Sequence, residues 1–129
     1  MATGEKKRVL IVDDDDVLRR ALVRCFSSAE VDVIDLADGR QALDYIAASR
    51  PHLILCDLRL PGADGWSVLN WLREHPPPTP FILITAHGSD QIADRALRAG
   101  AAAVFEKPLE MAHLKSCCGH WLSTTESAK

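Results

Sequence analysis

Five short apolar runs punctuate the chain: Arg8–Val12, Val31–Leu36, His52–Cys56, Phe81–Thr85 and Ala102–Phe105. Most are leucine-rich or β-branched, and none exceeds six residues. Apolar residues at consecutive positions, rather than alternate ones, suit strands covered on both faces, as in a parallel sheet. The second run is the least apolar, because Asp32 and Asp35 interrupt it. A position at the edge of a sheet tolerates such charges.

A different period occupies the intervening segments. Leu18, Ala21, Leu22, Cys25 and Phe26 repeat at the spacing of one helix face. Ala42, Leu43, Ile46 and Ala47 form a second stripe before Pro51. Gly65, Val68, Leu69 and Leu72 form a third, closed by Pro76, Pro77 and Pro78. Ile92, Ala93, Ala96 and Leu97 form a fourth, with Gly100 placed as the residue that ends it. Met111, Leu114, Cys118, Trp121 and Leu122 form a fifth. Strand and helix thus alternate, which predicts an α/β fold: a five-stranded parallel sheet, doubly wound, with helices on both faces. Crossovers should be right-handed. Ligands of such sheets bind beyond the carboxyl ends of the strands, near the point where strand order reverses.

Composition narrows the class. The 129 residues fit one domain, expected over 7–122, with flexible segments at 1–6 and 123–129. Hydrophobic residues make up 47% and charged residues 26%, enough apolar material for a core. No run approaches the length of a membrane span. The opening Met1–Val9 has no apolar stretch of the secretory type. The net charge of −3 supplies no basic footprint for nucleic acid. The four cysteines, at positions 25, 56, 117 and 118, lack CxxC spacing. Reduced thiols in a cytoplasmic protein are expected.

The strand ends carry the chemistry. The first run leads into Asp13, Asp14, Asp15 and Asp16, the third into Asp57, the fourth ends at Thr85, and the fifth precedes Lys107 and Pro108. In the predicted fold they share one rim. Carboxylates held together resist ionisation unless a cation joins them. An all-oxygen set suits Mg²⁺, with Mn²⁺ as a second possibility. An ionised aspartate can also attack phosphorus, giving an aspartyl phosphate. A cation and a hydroxyl, here Lys107 and Thr85, would serve the phosphoryl oxygens.

These segments resemble the receiver domain of two-component response regulators. The stretches concerned are VLIVDDDDVLRRAL at 9–22, LILCDLRLPGADG at 53–65, ILITAHG at 82–88 and VFEKPLE at 104–110. The resemblance implies a flavodoxin-like (βα)5 fold and a site built as follows. Asp57 is the phosphoacceptor. Asp13 and Asp14 are the acidic pair, Asp14 binding the metal directly and Asp13 acting mainly through metal-bound water. Asp57 and the backbone carbonyl of Arg59 complete the metal's protein ligands. Lys107 pairs with the phosphoryl oxygens, and Thr85 donates its hydroxyl to them. The Lys107–Pro108 bond is expected to be cis. Asp15 or Asp16 is read as the cap of the first helix. The implied partners are a histidine kinase or a histidine phosphotransfer domain, and a downstream protein or an output domain. Phosphorylation would switch the surface of helix 4, strand 5 and helix 5, roughly Gly88–Leu122.

The family pattern often has an aromatic residue three positions before the lysine. Here Val104 stands there, and alternation places Phe105 on the opposite face. Arg59 and His87 flank the site at positions that vary in the family. Two other classes compete. A phosphohydrolase with an aspartate nucleophile usually has a second acid two residues later, where this chain has Arg59. A pseudo-receiver would bind partners without phosphorylation. Outside the rim, His113, Cys117 and His120 share a helical spacing open to a transition metal, though a half-exposed helix flank is the simpler reading. Trp66, Trp71 and Trp121 are read as packing residues, and Pro76–Pro80 as a stiff connector.

Overall fold

The computed structural model describes residues 6–86 and 88–127, with side chains described as far as 122. Ten elements alternate: β1 (Lys7–Val12), α1 (Asp16–Phe26), β2 (Val31–Leu36), α2 (Gly39–Ser49), β3 (Leu53–Asp57), α3 (Gly65–Glu74), β4 (Phe81–Thr85), α4 (Asp90–Arg98), β5 (Ala103–Glu106) and α5 (Met111–Ser127). All strand pairings are parallel, in the order β2-β1-β3-β4-β5. The order reverses between β1 and β3, so the crevice expected of this architecture opens at Asp13 and Asp57.

Burial explains the patterning. β3 and β4 are buried along their whole length. Alternate residues feed two cores, one on each face of the sheet. Leu10, Val12, Ile54, Cys56 and Leu83 pack with α2, α3 and α4. Val9, Ile11, Leu55, Ile82 and Ile84 pack with Leu22 and Phe26 of α1 and Leu114 and Cys118 of α5. β2 lies at the edge, and its two aspartates face solvent, where Asp32 meets Lys6 at 3.2 Å and Asp35 meets Arg19 at 2.9 Å.

Local signals set the ends. Asp15 caps α1 by accepting from the Val17 and Leu18 amides, Asp38 caps α2, Asp64 caps α3 and Ser89 caps α4. Gly100 terminates α4 at φ +109°, a left-handed conformation that needs no Cβ to be accommodated. The Pro76–Pro80 connector is tied down: the Pro77 carbonyl accepts from Arg50 Nη1 (2.9 Å) and the Pro80 carbonyl from the Ile54 amide (3.0 Å).

Asp57 is the last residue of β3, paired with Ile84, at the strand end where the sequence placed it. One boundary differs from expectation. The backbone of α5 continues to Ser127, past the expected stop at Leu122. Nothing in Ser123–Ser127 breaks a helix, since neither Gly nor Pro intervenes. Of the segments expected to be flexible, 1–6 and 123–129, residues 1–5 and 128–129 lie outside the described residues, as does His87.

Candidate phosphoacceptor and metal site

Four strand ends meet in the crevice. Asp13 follows β1, Asp57 ends β3, Thr85 ends β4 and Lys107 follows β5. Asp13 is fully buried, Asp57 is 8% exposed and Thr85 is fully buried. Lys107 Nζ reaches between the two carboxylates, 2.9 Å from Asp13 Oδ2 and 3.1 Å from Asp57 Oδ2. The Lys107 amide donates to the Thr85 carbonyl at 2.8 Å, which fixes the start of the β5–α5 loop against the end of β4. The Lys107–Pro108 peptide is cis.

The four consecutive aspartates have four different environments. Asp13 Oδ1 accepts the Asp15 amide at 2.9 Å. Asp15 faces α1 as its cap. Asp16 pairs with Arg19 at 2.8 Å. Asp14 is exposed, and offers a carboxylate oxygen within 4.8 Å of those of Asp13 and Asp57. Among the described residues this is the one cluster of three such ligands. His113, Cys117 and His120 do not converge in that way. Cys117 Sγ sits 3.9 Å from His113 Nε2, while the His120 ring lies edge-on to Trp121.

Electrostatics favour a cation here. Burial pushes the Asp13 carboxyl above its ordinary value. The Asp15 amide and Lys107 oppose the shift, and the charge of Asp57 adds to it. Burial works to lower Lys107, but Asp13 and Asp57 outweigh it and the net shift is upward. One ammonium thus serves two carboxylates, with a third close by. Asp13 Oδ2 is buried and, although within ion-pair distance of Lys107, has no aligned hydrogen bond. A buried carboxylate oxygen without a full set of donors is a ready ligand for a hard cation. The donor set of Asp13, Asp14 and Asp57 fits Mg²⁺ in type and charge.

Three supports were not visible in the sequence. Arg19 holds the acidic run in shape: Nη1 donates to the Asp13 carbonyl (2.8 Å), Nη2 meets Asp16 and Nε meets Asp35 on β2. Gly65 lies against Asp57 itself, since a Cβ there would come within 2.5 Å of the Asp57 carbonyl oxygen. Gly39 lies against the β3–α3 loop: its amide donates to the Pro61 carbonyl at 2.9 Å, and a Cβ would collide with the Ala63 carbonyl. That loop carries Arg59 past the crevice.

Val104 packs with the core beneath α4, whereas Phe105 packs on the α5 side, 5.6 Å edge-on from His113. The period-two expectation for this pair therefore holds. Trp66, Trp71 and Trp121 all pack as partly buried residues against the two cores. All four cysteines are free; burial pushes Cys118 up to about 12 and Cys56 well upward, so these two thiols are poor nucleophiles.

Comparison with known proteins agrees with this geometry. The family model described as response regulator receiver domain matches residues 9–118. The regulatory protein AtoC of Escherichia coli (strain K12) is 38% identical over 107 residues, 83% of this chain and 23% of that protein. A probable transcriptional regulatory protein NarL of Mycobacterium tuberculosis (strain H37Rv) is 42% identical over 100 residues, 76% of this chain and 46% of that protein. The chain thus spans less than half the length of these curated relatives. The signal receiver domain of a putative Luxo repressor protein from Vibrio parahaemolyticus superposes with a TM-score of 0.88 at 33% identity, covering 94% of this chain and 93% of that one. A CheY-like receiver domain protein from Methanospirillum hungatei JF-1 gives 0.87 at 26% identity, covering 97% of this chain and all of the other. Among the described residues no helix is long and apolar enough to cross a membrane. By sequence, fold and the chemistry gathered at its strand ends, the chain belongs to the receiver domains of two-component response regulators, signalling modules that accept a phosphoryl group.

Proposed function

We propose that Asp57 is the phosphoacceptor, that Asp13, Asp14, Asp57 and the Arg59 carbonyl hold Mg²⁺, and that Thr85 and Lys107 bind the phosphoryl oxygens. The observation that carries this reading is the position of Lys107 Nζ between Asp13 Oδ2 and Asp57 Oδ2, at 2.9 and 3.1 Å. An ammonium so placed meets both the acceptor and the charge that arrives with the donor.

The transfer is balanced simply. A carboxylate oxygen of Asp57 forms a bond to phosphorus as the bond from phosphorus to the donor breaks. The leaving group keeps the electron pair, and on a phosphohistidine that group is the imidazole nitrogen. Bound Mg²⁺ supplies charge neutralisation for the donor's oxygens and for the crowded carboxylates. The chain's own residues orient the acceptor: the Leu58 amide donates to Asp57 Oδ1 at 2.7 Å, leaving Oδ2 toward Lys107. Thr85, at the adjacent strand end, offers its hydroxyl to the product.

The donor is proposed to be a histidine kinase or a histidine phosphotransfer domain of the cytoplasm. The output is a protein target, or a domain in the part of the relatives' length that this chain does not span. The proposed switch surface is that of α4, β5 and α5, and Val104 makes it one that works without an aromatic partner for Thr85. Incubation with acetyl phosphate and Mg²⁺ should add one phosphoryl group by intact mass. Asp57→Asn should add none, and a variant that labels like wild type would refute the assignment.

Asp13 gives a second expected result. Asp13→Asn removes a buried charge whose burial opposes folding, so the metal-free protein should gain about 1 kcal/mol in denaturant unfolding. The same change should weaken Mg²⁺ binding at least about tenfold, read by tryptophan fluorescence. Because the Asp13 carboxyl is raised, protons should compete with Mg²⁺ as pH falls toward the carboxylate range. A less stable variant with unchanged Mg²⁺ affinity would contradict this account.

A further inference from the structure

We propose that the cleft between α3 and α4 is a docking site for an acidic, amphipathic helical segment of a partner protein. Two adjoining hollows of about 580 and 460 Å³ share Asp64, Trp66 and Arg95, and so form one trough. It runs from the β3–α3 loop at Leu58 and Arg59 to Arg73 near the end of α3 and Arg98 at the end of α4. Apolar side chains, chiefly Leu60, Trp66 and Ile92, contribute its lining.

The charge of this trough runs against that of the protein. The chain carries a net −3, yet four arginines line the cleft against one carboxylate, Asp64, which is engaged as the cap of α3. Arg98 meets Asp94 at 3.1 Å, an exposed pair. Among the described residues, Arg59, Arg73 and Arg95 have no carboxylate within ion-pair distance. Arg95 is held over the Trp66 ring, its guanidinium carbon 4.0 Å from the centroid. That contact limits its freedom and leaves its donors available to an anion. Arg73 Nη2 donates to Asn70 Oδ1 at 3.1 Å, a neutral partner that leaves its charge uncompensated. Guanidinium groups without a carboxylate partner, gathered in one place, attract an opposite charge and steer its approach.

The lining favours a peptide over a compact anion. An apolar strip flanked by separated arginines complements a helix with leucine-like side chains on one face and carboxylates beside them. Trp and Arg are also the residue types that most often anchor protein interfaces. The cleft starts at the residues directly after Asp57, so its occupancy should couple to phosphorylation, and by linkage the coupling runs both ways. That coupling alone rests on the reading of Asp57; the docking does not.

The test uses the whole chain, ¹⁵N-labelled, and a synthetic Leu/Glu peptide of about 14 residues with its leucines on one helical face. A scrambled peptide of the same composition and a single-stranded oligonucleotide serve as controls. Amide shifts should concentrate in residues 58–73 and 92–99. Affinity should fall at least about tenfold in Arg73→Glu/Arg95→Glu and should weaken with salt. In Asp57→Asn, acetyl phosphate and Mg²⁺ should no longer change the affinity for the peptide. Equal binding of the scramble or the oligonucleotide, shifts centred elsewhere, undiminished affinity in the double variant, or no binding would each overturn the docking proposal. Docking that ignores acetyl phosphate and Mg²⁺ in a chain shown to be phosphorylated would overturn the coupling only.

Discussion

Lys107→Ala should destabilise the metal-free protein by about 1–3 kcal/mol near neutral pH, because it strands a buried carboxylate beside another. Asp13 is fully buried and Lys107 Nζ is its cationic neighbour at 2.9 Å. The pH dependence has a definite sign. Asp13 already lies above its ordinary value in the folded state, and losing Lys107 raises it further. A carboxyl raised by folding gains stability as pH falls through its folded value. The deficit of Lys107→Ala should therefore shrink on acidification and be largest where Asp13 is ionised. In the wild type, Lys107 is itself raised, so its contribution is complete below its ordinary value and is lost as pH rises through the folded one. Urea unfolding at a series of pH values measures both limbs. Mg²⁺ should restore part of the lost stability by binding the folded state. A deficit that grows on acidification would show that the pair does not hold the site as described.

Gly65→Ala and Gly39→Ala should have the largest effects on stability of any single methyl added to this chain. At Gly65 the new Cβ would stand 2.5 Å from the Asp57 carbonyl oxygen and 3.0 Å from the Leu58 Cα. Both neighbours are backbone, so no side chain can swing away. At Gly39 the collision is with the Ala63 carbonyl, again backbone. About 2–4 kcal/mol is expected for each, in line with overpacked interiors and forced backbone shifts. Their chemistry should differ. Gly65→Ala displaces Asp57, the proposed acceptor, and should slow labelling by acetyl phosphate even in the folded fraction. Gly39→Ala presses on the Pro61–Ala63 turn and should act on labelling less directly. Gly100→Ala makes a useful contrast, since no atom lies within 4 Å of a Cβ there and only its φ of +109° opposes the change. Thermal unfolding with parallel labelling rates would separate these effects. A Gly65→Ala variant as stable as wild type would contradict the close approach.

Those glycines mark the limit of what a linear sequence reveals. The period of the apolar positions was enough for strand and helix order, and Asp32 and Asp35 were enough to send β2 to the edge. Such signals are local, or depend on one face being buried. Four consecutive aspartates have no period to separate them: the family pattern pointed to Asp13 and Asp14, and the cap stayed open between Asp15 and Asp16 until the fold placed it on Asp15. Asp16 is held instead by Arg19, whose other partner Asp35 lies on a neighbouring strand. Likewise, nothing around Gly39 indicates that Ala63 will press against it, because that approach exists only once α2 and the β3–α3 loop have docked. The extension of α5 to Ser127 was missed for the opposite reason: its last residues carry neither an apolar stripe nor a stop signal. The arginines of the α3–α4 trough are scattered between positions 59 and 98. Only folding turns them into a patch.

Trapping the acyl phosphate decides the main question most directly. The protein is treated with acetyl phosphate and Mg²⁺, reduced with borohydride, which converts an aspartyl phosphate to homoserine, and mapped by peptide mass. The proposed mechanism predicts homoserine at position 57 alone, with its yield dependent on Mg²⁺. Homoserine at Asp13 or Asp14, phosphate retained on another residue type, or an unmodified Asp57 under conditions that label the chain would contradict it.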